Sequence, residues 1–221
     1  MALGAILLDL DGTLVDPAEG IVASVRYALD HLGCPVDPAD DLRWVIGPPV
    51  RETFARLIGT RADPEEALRL YRVRYGETGL KEAAVYPGVP EALDALRAMK
   101  FRLIVCTSKA RVFAERIVDH FSLAARLDGV YGPDLDGRLE DKGDLIAHIL
   151  DTEAITPGAA CMVGDRKYDV VAAARHGLPS VGVLWGYGAE IELRDAGATR
   201  LITRPDELPT ACAELRAALD P

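Results

Sequence analysis

The sequence predicts an α/β fold, a mainly parallel sheet with helices on both faces, interrupted after its first strand by an α-helical insertion. Three observations predict it. An apolar run, Leu3–Leu8, ends abruptly in Asp9-Leu10-Asp11-Gly12-Thr13-Leu14, as a buried strand feeding a loop does. From residue 86 onwards, apolar strand-like runs alternate with amphipathic helical segments, the pattern of a parallel sheet. Residues 17–84 break that alternation, with helical periodicity and no convincing strand.

In chain order, the insertion reads as helices over Gly20–Leu32, Arg51–Ile58 and Glu65–Tyr75, the last introduced by Asp63-Pro64 as cap and first turn. Pro17 and Pro87-Gly88 punctuate its two ends. The strands that follow are expected at Leu103–Cys106, Gly129–Tyr131, Ala159–Val163, Ser180–Leu184 and Thr199–Ile202. The helices between them are expected at Pro90–Met99, Ala110–His120, Gly143–Thr152, Tyr168–His176 and Leu208–Leu219. In open sheets of this kind ligands bind beyond the carboxyl ends of the strands, which makes residues just past each strand the candidate site residues.

Composition narrows the function classes. With 221 residues and 49% hydrophobic content, the chain can bury a substantial core. A formal charge of −10, from 35 acidic and 25 basic residues, argues against a nucleic-acid polymer or an acidic membrane as partner. An anionic substrate would then need local basic groups or a bound cation. Cys34, Cys106, Cys161 and Cys212 are widely spaced and form no Cys-x-x-Cys pair, so neither a disulfide framework nor a zinc site is expected. The initial apolar run is too short for a signal-peptide core and no long apolar span follows; a soluble cytoplasmic protein, monomeric or homodimeric, is expected.

The chemistry concentrates at strand ends. Asp9 and Asp11 project to the same side because residues two apart in a strand do. Two carboxylates at a buried strand mouth call for a cation, since an unpaired buried charge costs several kcal/mol. Thr107 and Ser108 follow the run Ile104-Val105-Cys106. Lys142 lies in Leu139-Glu140-Asp141-Lys142-Gly143, just before a helix. Ala160-Cys161-Met162-Val163 runs into Gly164-Asp165-Arg166-Lys167-Tyr168-Asp169. Taken singly, each has an ordinary reading: Asp9 and Asp165 as helix caps, Thr107-Ser108 as a turn, Lys142 as a solvated charge. His31, His120, His148 and His176 fall on or at the ends of expected helices, outside these motifs, and none is assigned a catalytic role.

In their order along the chain, these elements closely resemble the haloacid dehalogenase superfamily, whose members are mostly phosphatases. The resemblance covers nearly the whole chain and includes the insertion point of a helical cap. It implies a Rossmann-like core from residues 1–16 and 85–221 and a cap from residues 17–84. The strand carrying Asp9 would sit centrally, flanked by those bearing Thr107 and Asp165. It further implies a phosphomonoester hydrolase with Asp9 as nucleophile, forming an aspartyl-phosphate, and Asp11 as general acid and then base. Mg2+ would be held by Asp9, Asp165 and the main-chain carbonyl of Asp11, with Asp169 supporting a water on the ion. Thr107 and Ser108 would bind the phosphoryl group, Gly12 would let the backbone approach it, and Lys142 would balance the negative charge.

Asp11 argues for phosphate esters over halides, because a halide leaving group needs no proton. Lys81 is the only lysine in the insertion and stands near its exit, which disfavours the Schiff-base chemistry of phosphonatases. The insertion is most similar to caps of the phosphoglycolate phosphatase-like group, with Ile46-Gly47-Pro48-Pro49-Val50-Arg51 as the loop expected to face the core. Arg51 is either a ligand for a second anionic group of the substrate or a solvated arginine at a helix start. The segment Val183-Leu184-Trp185-Gly186-Tyr187-Gly188 is similar to members described as 5′-nucleotidases. The substrate expected is a small phosphorylated metabolite, a nucleoside 5′-monophosphate before phosphoglycolate. A phosphosugar mutase and a non-catalytic binding protein are the alternatives.

Overall fold

The computed structural model describes residues 4–219. Leu3, at the head of the expected first strand, lies outside the described residues, as do Met1, Ala2, Asp220 and Pro221. The chain divides into two compact units: one formed up to Asp16 and from Val85 onwards, the other by Pro17–Ala84.

The strands in chain order are β1 (Ala5–Leu8), β2 (Val15–Asp16), β3 (Ala84–Val85), β4 (Arg102–Cys106), β5 (Gly129–Tyr131), β6 (Ala160–Gly164), β7 (Ser180–Val183) and β8 (Arg200–Ile202). The helices are α1 (Ala18–His31), α2 (Val50–Ile58), α3 (Pro64–Glu77), α4 (Val89–Ala98), α5 (Arg111–His120), α6 (Lys142–Thr152), α7 (Lys167–Arg175), α8 (Glu190–Asp195) and α9 (Leu208–Leu219). Six strands form one sheet in the order β5-β4-β1-β6-β7-β8, every pair parallel. β2 and β3 pair in a separate two-stranded sheet.

The sheet positions the site through register. Leu8, the last residue of β1, stands opposite Val105 of β4 and Val163 of β6. All three strands run the same way, so Asp9, Thr107 and Asp165 emerge within one or two residues of a common edge. The continuous apolar runs reflect burial on both faces, as expected of parallel strands. On one face Leu7, Ile104, Cys106 and Met162 pack with Leu145, Ile146 and Ile149 of α6 and with Ala172 and Ala173 of α7. Burying each of the larger side chains stabilises the fold by about 1.5–3 kcal/mol. Cys161 alternates to the other face, where its thiol meets that of Cys212 on α9.

In the helical unit, α3 packs against both α1 and α2. Asp63 caps α3, its carboxylate accepting from the Glu65 N–H at 3.0 Å, with Pro64 at the first helical position. Phe54 and Tyr71 meet edge to face with centroids 5.9 Å apart, and Tyr75 stacks on Tyr71 at 5.3 Å. Arg74 ties the unit together, pairing with Glu82 at 2.8 Å and donating to Ser24 Oγ at 3.0 Å.

Most element boundaries fall within two residues of expectation, the usual fraying range. Ala159 belongs to a single 3₁₀ turn rather than to β6. Thr199 precedes β8, where its hydroxyl accepts from the Ser180 N–H at 3.0 Å instead of joining the ladder. The two-residue strand β3 begins at Ala84 and so corrects, at its last residue, the expectation of no convincing strand within residues 17–84; α8 is an unexpected helix. Both are too short for their periodicity to register. Among the described residues no helix is long and apolar enough to cross a membrane.

Candidate active site

The site is assembled where β1, β4 and β6 end. Asp9 continues β1, its N–H donating to Val163 O at 2.8 Å, and its side chain is buried. The chain then reverses tightly. Leu10 O accepts from the N–H groups of Leu14 at 2.9 Å and Val15 at 3.0 Å, while the Gly12 N–H donates to Val15 O at 2.8 Å. The reversal puts Gly12 at φ 84°, a left-handed conformation natural to glycine. A Cβ there would overlap the Asp165 carboxylate, so the loop and the end of β6 are in intimate contact.

After β4, the buried Thr107 donates its N–H to Tyr131 O at 3.1 Å, and its hydroxyl accepts from the Lys109 N–H at 3.2 Å. This short turn, with half-buried Ser108 inside it, sends the Lys109 side chain towards β1. Lys109 Nζ lies 2.8 Å from Asp11 Oδ2, both side chains largely shielded from solvent. Lys142 opens α6, which Asp141 caps by accepting from the Asp144 N–H at 2.9 Å. Its ammonium sits 2.9 Å from Asp9 Oδ1 and is also ion-paired with Asp169. Asp169, on the first turn of α7, accepts from the Arg166 N–H at 3.0 Å through its other oxygen. Gly164 leaves space for that carboxylate, which a Cβ would overlap.

Asp9, Asp165 and Asp169 are all buried and each offers a carboxylate oxygen within 4.8 Å of the others. The electrostatics are those of a site short of positive charge. Burial pushes the Asp11 carboxyl above its ordinary value, with Lys109 pulling the other way. Asp165 is pushed well up by burial and then by Asp9 and Asp169. Asp169 also rises, burial outweighing its Lys142 partner. Burial opposes the charge on Lys142, yet Asp169 and Asp9 hold it protonated above the usual lysine range. The four carboxylates (Asp9, Asp11, Asp165, Asp169) outnumber the two ammoniums paired with them (Lys109, Lys142), with Arg166 also acting on Asp165. The buried side-chain polar atoms without a partner, among the described residues, are Asp11 Oδ1, Thr13 Oγ1 and Asp165 Oδ1. All three belong to this strand-end assembly. Hard oxygen donors, an excess of carboxylates over paired ammoniums and orphaned buried oxygens fit a divalent cation.

The sheet therefore gathers Asp9, Asp11, Gly12, Thr107, Ser108, Lys142, Asp165 and Asp169 at one edge. Arg51 belongs to the helical unit, where it stands on the first turn of α2 and is ion-paired with Glu65 of α3. Lys109 was not anticipated. Its one sequence signal is its place after Thr107-Ser108 in a strand-end loop, which by itself does not separate it from an ordinary solvated lysine.

Comparison with known proteins agrees with this geometry. A family model described as "Haloacid dehalogenase-like hydrolase" matches residues 6–183. A protein of Pseudomonas aeruginosa named 5′-nucleotidase is 43% identical over 190 residues, covering 86% of each chain. The tyrosine-protein kinase PtkA of Mycobacterium tuberculosis is 39% identical over 214 residues, covering 97% of this chain and 72% of its own. The crystal structure of a predicted phosphatase from Clostridium acetobutylicum superposes with a TM-score of 0.91 at 38% identity, covering 97% of this chain and all of that one. With its Asp-x-Asp loop, the two lysines paired to it and the acidic cluster gathered at one edge of the sheet, the chain belongs to the haloacid dehalogenase-like hydrolases, as an enzyme of their phosphatase type.

Proposed function

We propose that this protein is a magnesium-dependent phosphomonoester hydrolase acting through a covalent phosphoryl-enzyme on Asp9, with a nucleoside 5′-monophosphate as substrate. The observation that carries the reading is the division of labour between the two carboxylates at the mouth of β1. Asp9 is held by Lys142 and Asp11 by Lys109, so neighbouring acids have separate partners and separate tasks.

Asp9 attacks phosphorus, an O–P bond forms and the ester P–O bond breaks. Asp11 gives its proton to the departing alcohol oxygen; burial, by raising its carboxyl, favours the protonated form this needs. Asp11 then takes a proton from the water that attacks phosphorus, releasing phosphate and regenerating Asp9. Thr107 and Ser108 donate hydrogen bonds to the phosphoryl oxygens, and the Gly12 loop admits them close to the main chain. Lys142 orients Asp9 and offsets charge that accumulates on the phosphoryl group. Asp9, Asp165 and the Asp11 carbonyl, supported by Asp169, would hold Mg2+, which when bound supplies positive charge to the phosphoryl oxygens.

The helical unit Pro17–Ala84 is assigned the part of a cap that excludes water, with Arg51 as ligand for a second polar or anionic group of the substrate. The nucleotide preference draws support from the name of the Pseudomonas relative and from the Trp185-Gly186-Tyr187-Gly188 segment.

The test is phosphate release with Mg2+ across nucleoside 5′-monophosphates, phosphoglycolate and hexose phosphates, with Asp9→Asn as control. Release from nucleotides that Asp9→Asn abolishes supports the proposal. Selective release from phosphoglycolate overturns the substrate, and isomerisation of a hexose phosphate without release makes the protein a mutase. Transfer from ATP to tyrosine without monoester hydrolysis would align it with the mycobacterial kinase.

A further inference from the structure

Beyond β7 the chain does not turn away from the site. Leu184 still donates to Ile202 O of β8 at 2.9 Å, and the next four residues lie against Asp165 and the β1 loop. The Trp185 indole N–H donates to Thr13 O at 3.1 Å. A Cβ on Gly186 would overlap both Asp165 Cβ and Gly12 O, and one on Gly188 would overlap Asp165 O. The Tyr187 N–H donates to Asp165 Oδ2 at 2.7 Å, while its phenol donates to Asp16 and neighbours the Tyr86 hydroxyl.

These contacts bear unequally on the two oxygens of Asp165. Oδ2 is engaged by a main-chain donor; Oδ1 is buried and without a partner. A main-chain N–H on one oxygen fixes the rotation of a carboxylate, and so fixes where the other oxygen points. Leaving a buried carboxylate oxygen unpaired is costly unless a ligand meets it. Asp165 is also one of the three buried acids whose oxygens converge within 4.8 Å.

We infer that Trp185–Gly188 is a positioning segment that orients Asp165 Oδ1 towards a divalent cation, with the Tyr187 main-chain N–H as the orienting group. Gly186 and Gly188 are glycines because the segment must lie directly on Asp165. Trp185 and the Tyr187 phenol pin its two ends to the β1 loop and to Asp16. The inference rests on the reading of Asp165 as a metal ligand.

Mn2+ binding to the full chain, followed by the electron paramagnetic resonance of the free ion without substrate, tests it. Groups that orient a metal ligand typically contribute 10–100-fold in metal affinity. Gly186→Ala, whose methyl displaces the segment, is expected to weaken Mn2+ binding by about 10-fold or more, with the circular dichroism of a folded chain retained and the melting temperature in chelator lowered by the overlap with Asp165 and Gly12 O. Tyr187→Phe keeps the N–H and loses one tether, so a smaller, several-fold loss is expected. Wild-type affinity in a folded Gly186→Ala variant overturns the inference, even if its melting temperature falls. Should Gly186→Ala fail to fold, unchanged affinity in Tyr187→Phe overturns it. Asp165→Asn separates the two levels. If wild type binds no Mn2+, or Asp165→Asn binds it equally well, the metal-site reading fails; if only Asp165→Asn is weakened, the inference alone fails.

Discussion

Lys109 and Asp11 form a shielded ion pair, Nζ to Oδ2 at 2.8 Å, between the loops that follow β4 and β1. The pair does two things. It supplies the nearest positive charge to a carboxyl that burial drives towards neutrality, and it sets the rotation of that carboxyl beside Asp9. Lys109→Met removes both. The expected result is a fall in kcat/KM of about 100-fold or more, the scale of losing a well-placed general acid. Loss of the cation raises the Asp11 carboxyl further, so the alkaline limb of the rate profile moves to higher pH. Lys109→Arg, which restores charge without the same reach, is expected to recover the profile but only part of the rate. Wild-type kinetics and an unmoved pH profile in Lys109→Met would reduce the pair to packing.

The raised carboxyls also predict how metal-free protein responds to pH. Asp11, Asp165 and Asp169 all sit above the ordinary aspartate value of 3.8 in the folded chain. The native state therefore binds more protons than the unfolded one between the ordinary value and the raised ones. Stability from these groups is complete below the ordinary value and is lost as pH rises through the native values. In chelator, the melting temperature is expected to fall from mildly acidic towards neutral pH; Mg2+ is expected to abolish that fall by compensating the ionised acids. A melting temperature that rises over this interval in chelator would contradict the assignment.

Much of this was legible in the sequence because the relevant signals are local. Asp9, Asp11, Thr107 and Asp165 each stand just after an apolar run, and parallel register alone brings such residues to one edge. Lys142 was legible through its place at a helix start. Lys109 and the Tyr187 N–H were not, for different reasons. A lysine in a loop is ordinarily solvated, and only the turn at Thr107 aims this one at Asp11. A main-chain donor carries no residue signature at all; only the glycines at 186 and 188 mark the close approach. The short β3 and α8 escaped because periodicity needs more residues than they have.

The cysteines yield a prediction about reactivity. All four are buried and free, and burial pushes the Cys106 thiol up to about 12. Reactivity follows the thiolate and its exposure; exposure is suppressed at all four, and the thiolate at Cys106 and Cys161. The folded protein is expected to react with no thiol reagent at neutral pH within the time of an ordinary assay, and all four thiols to react after denaturation. Rapid native labelling of Cys106, which lies opposite Tyr131 at the end of β4, would mean that the strand end opens.

Lys142 makes the strongest demand on the fold. Its ammonium is buried between Asp9 and Asp169, and those two acids hold it protonated although burial opposes its charge. Replacing it with methionine keeps much of the volume but leaves the three buried carboxylates and half-buried Asp11 with Lys109 as their one paired lysine. Removing one partner of a buried ion pair costs about 3–5 kcal/mol, because the remaining charge is stranded. In chelator, Lys142→Met is therefore expected to melt well below wild type, whereas Asp9→Asn, which removes one of the crowded carboxylates, is not. A divalent cation meets part of the same deficit, so the rise in melting temperature on adding Mg2+ is expected to be larger for Lys142→Met than for wild type. Stability regained in this way does not restore turnover, since the cation cannot replace the contact that orients Asp9. Differential scanning calorimetry with and without Mg2+, paired with phosphate release, distinguishes the two effects. Equal melting temperatures for Lys142→Met and wild type in chelator would show that Lys142 does not carry the charge balance of the site.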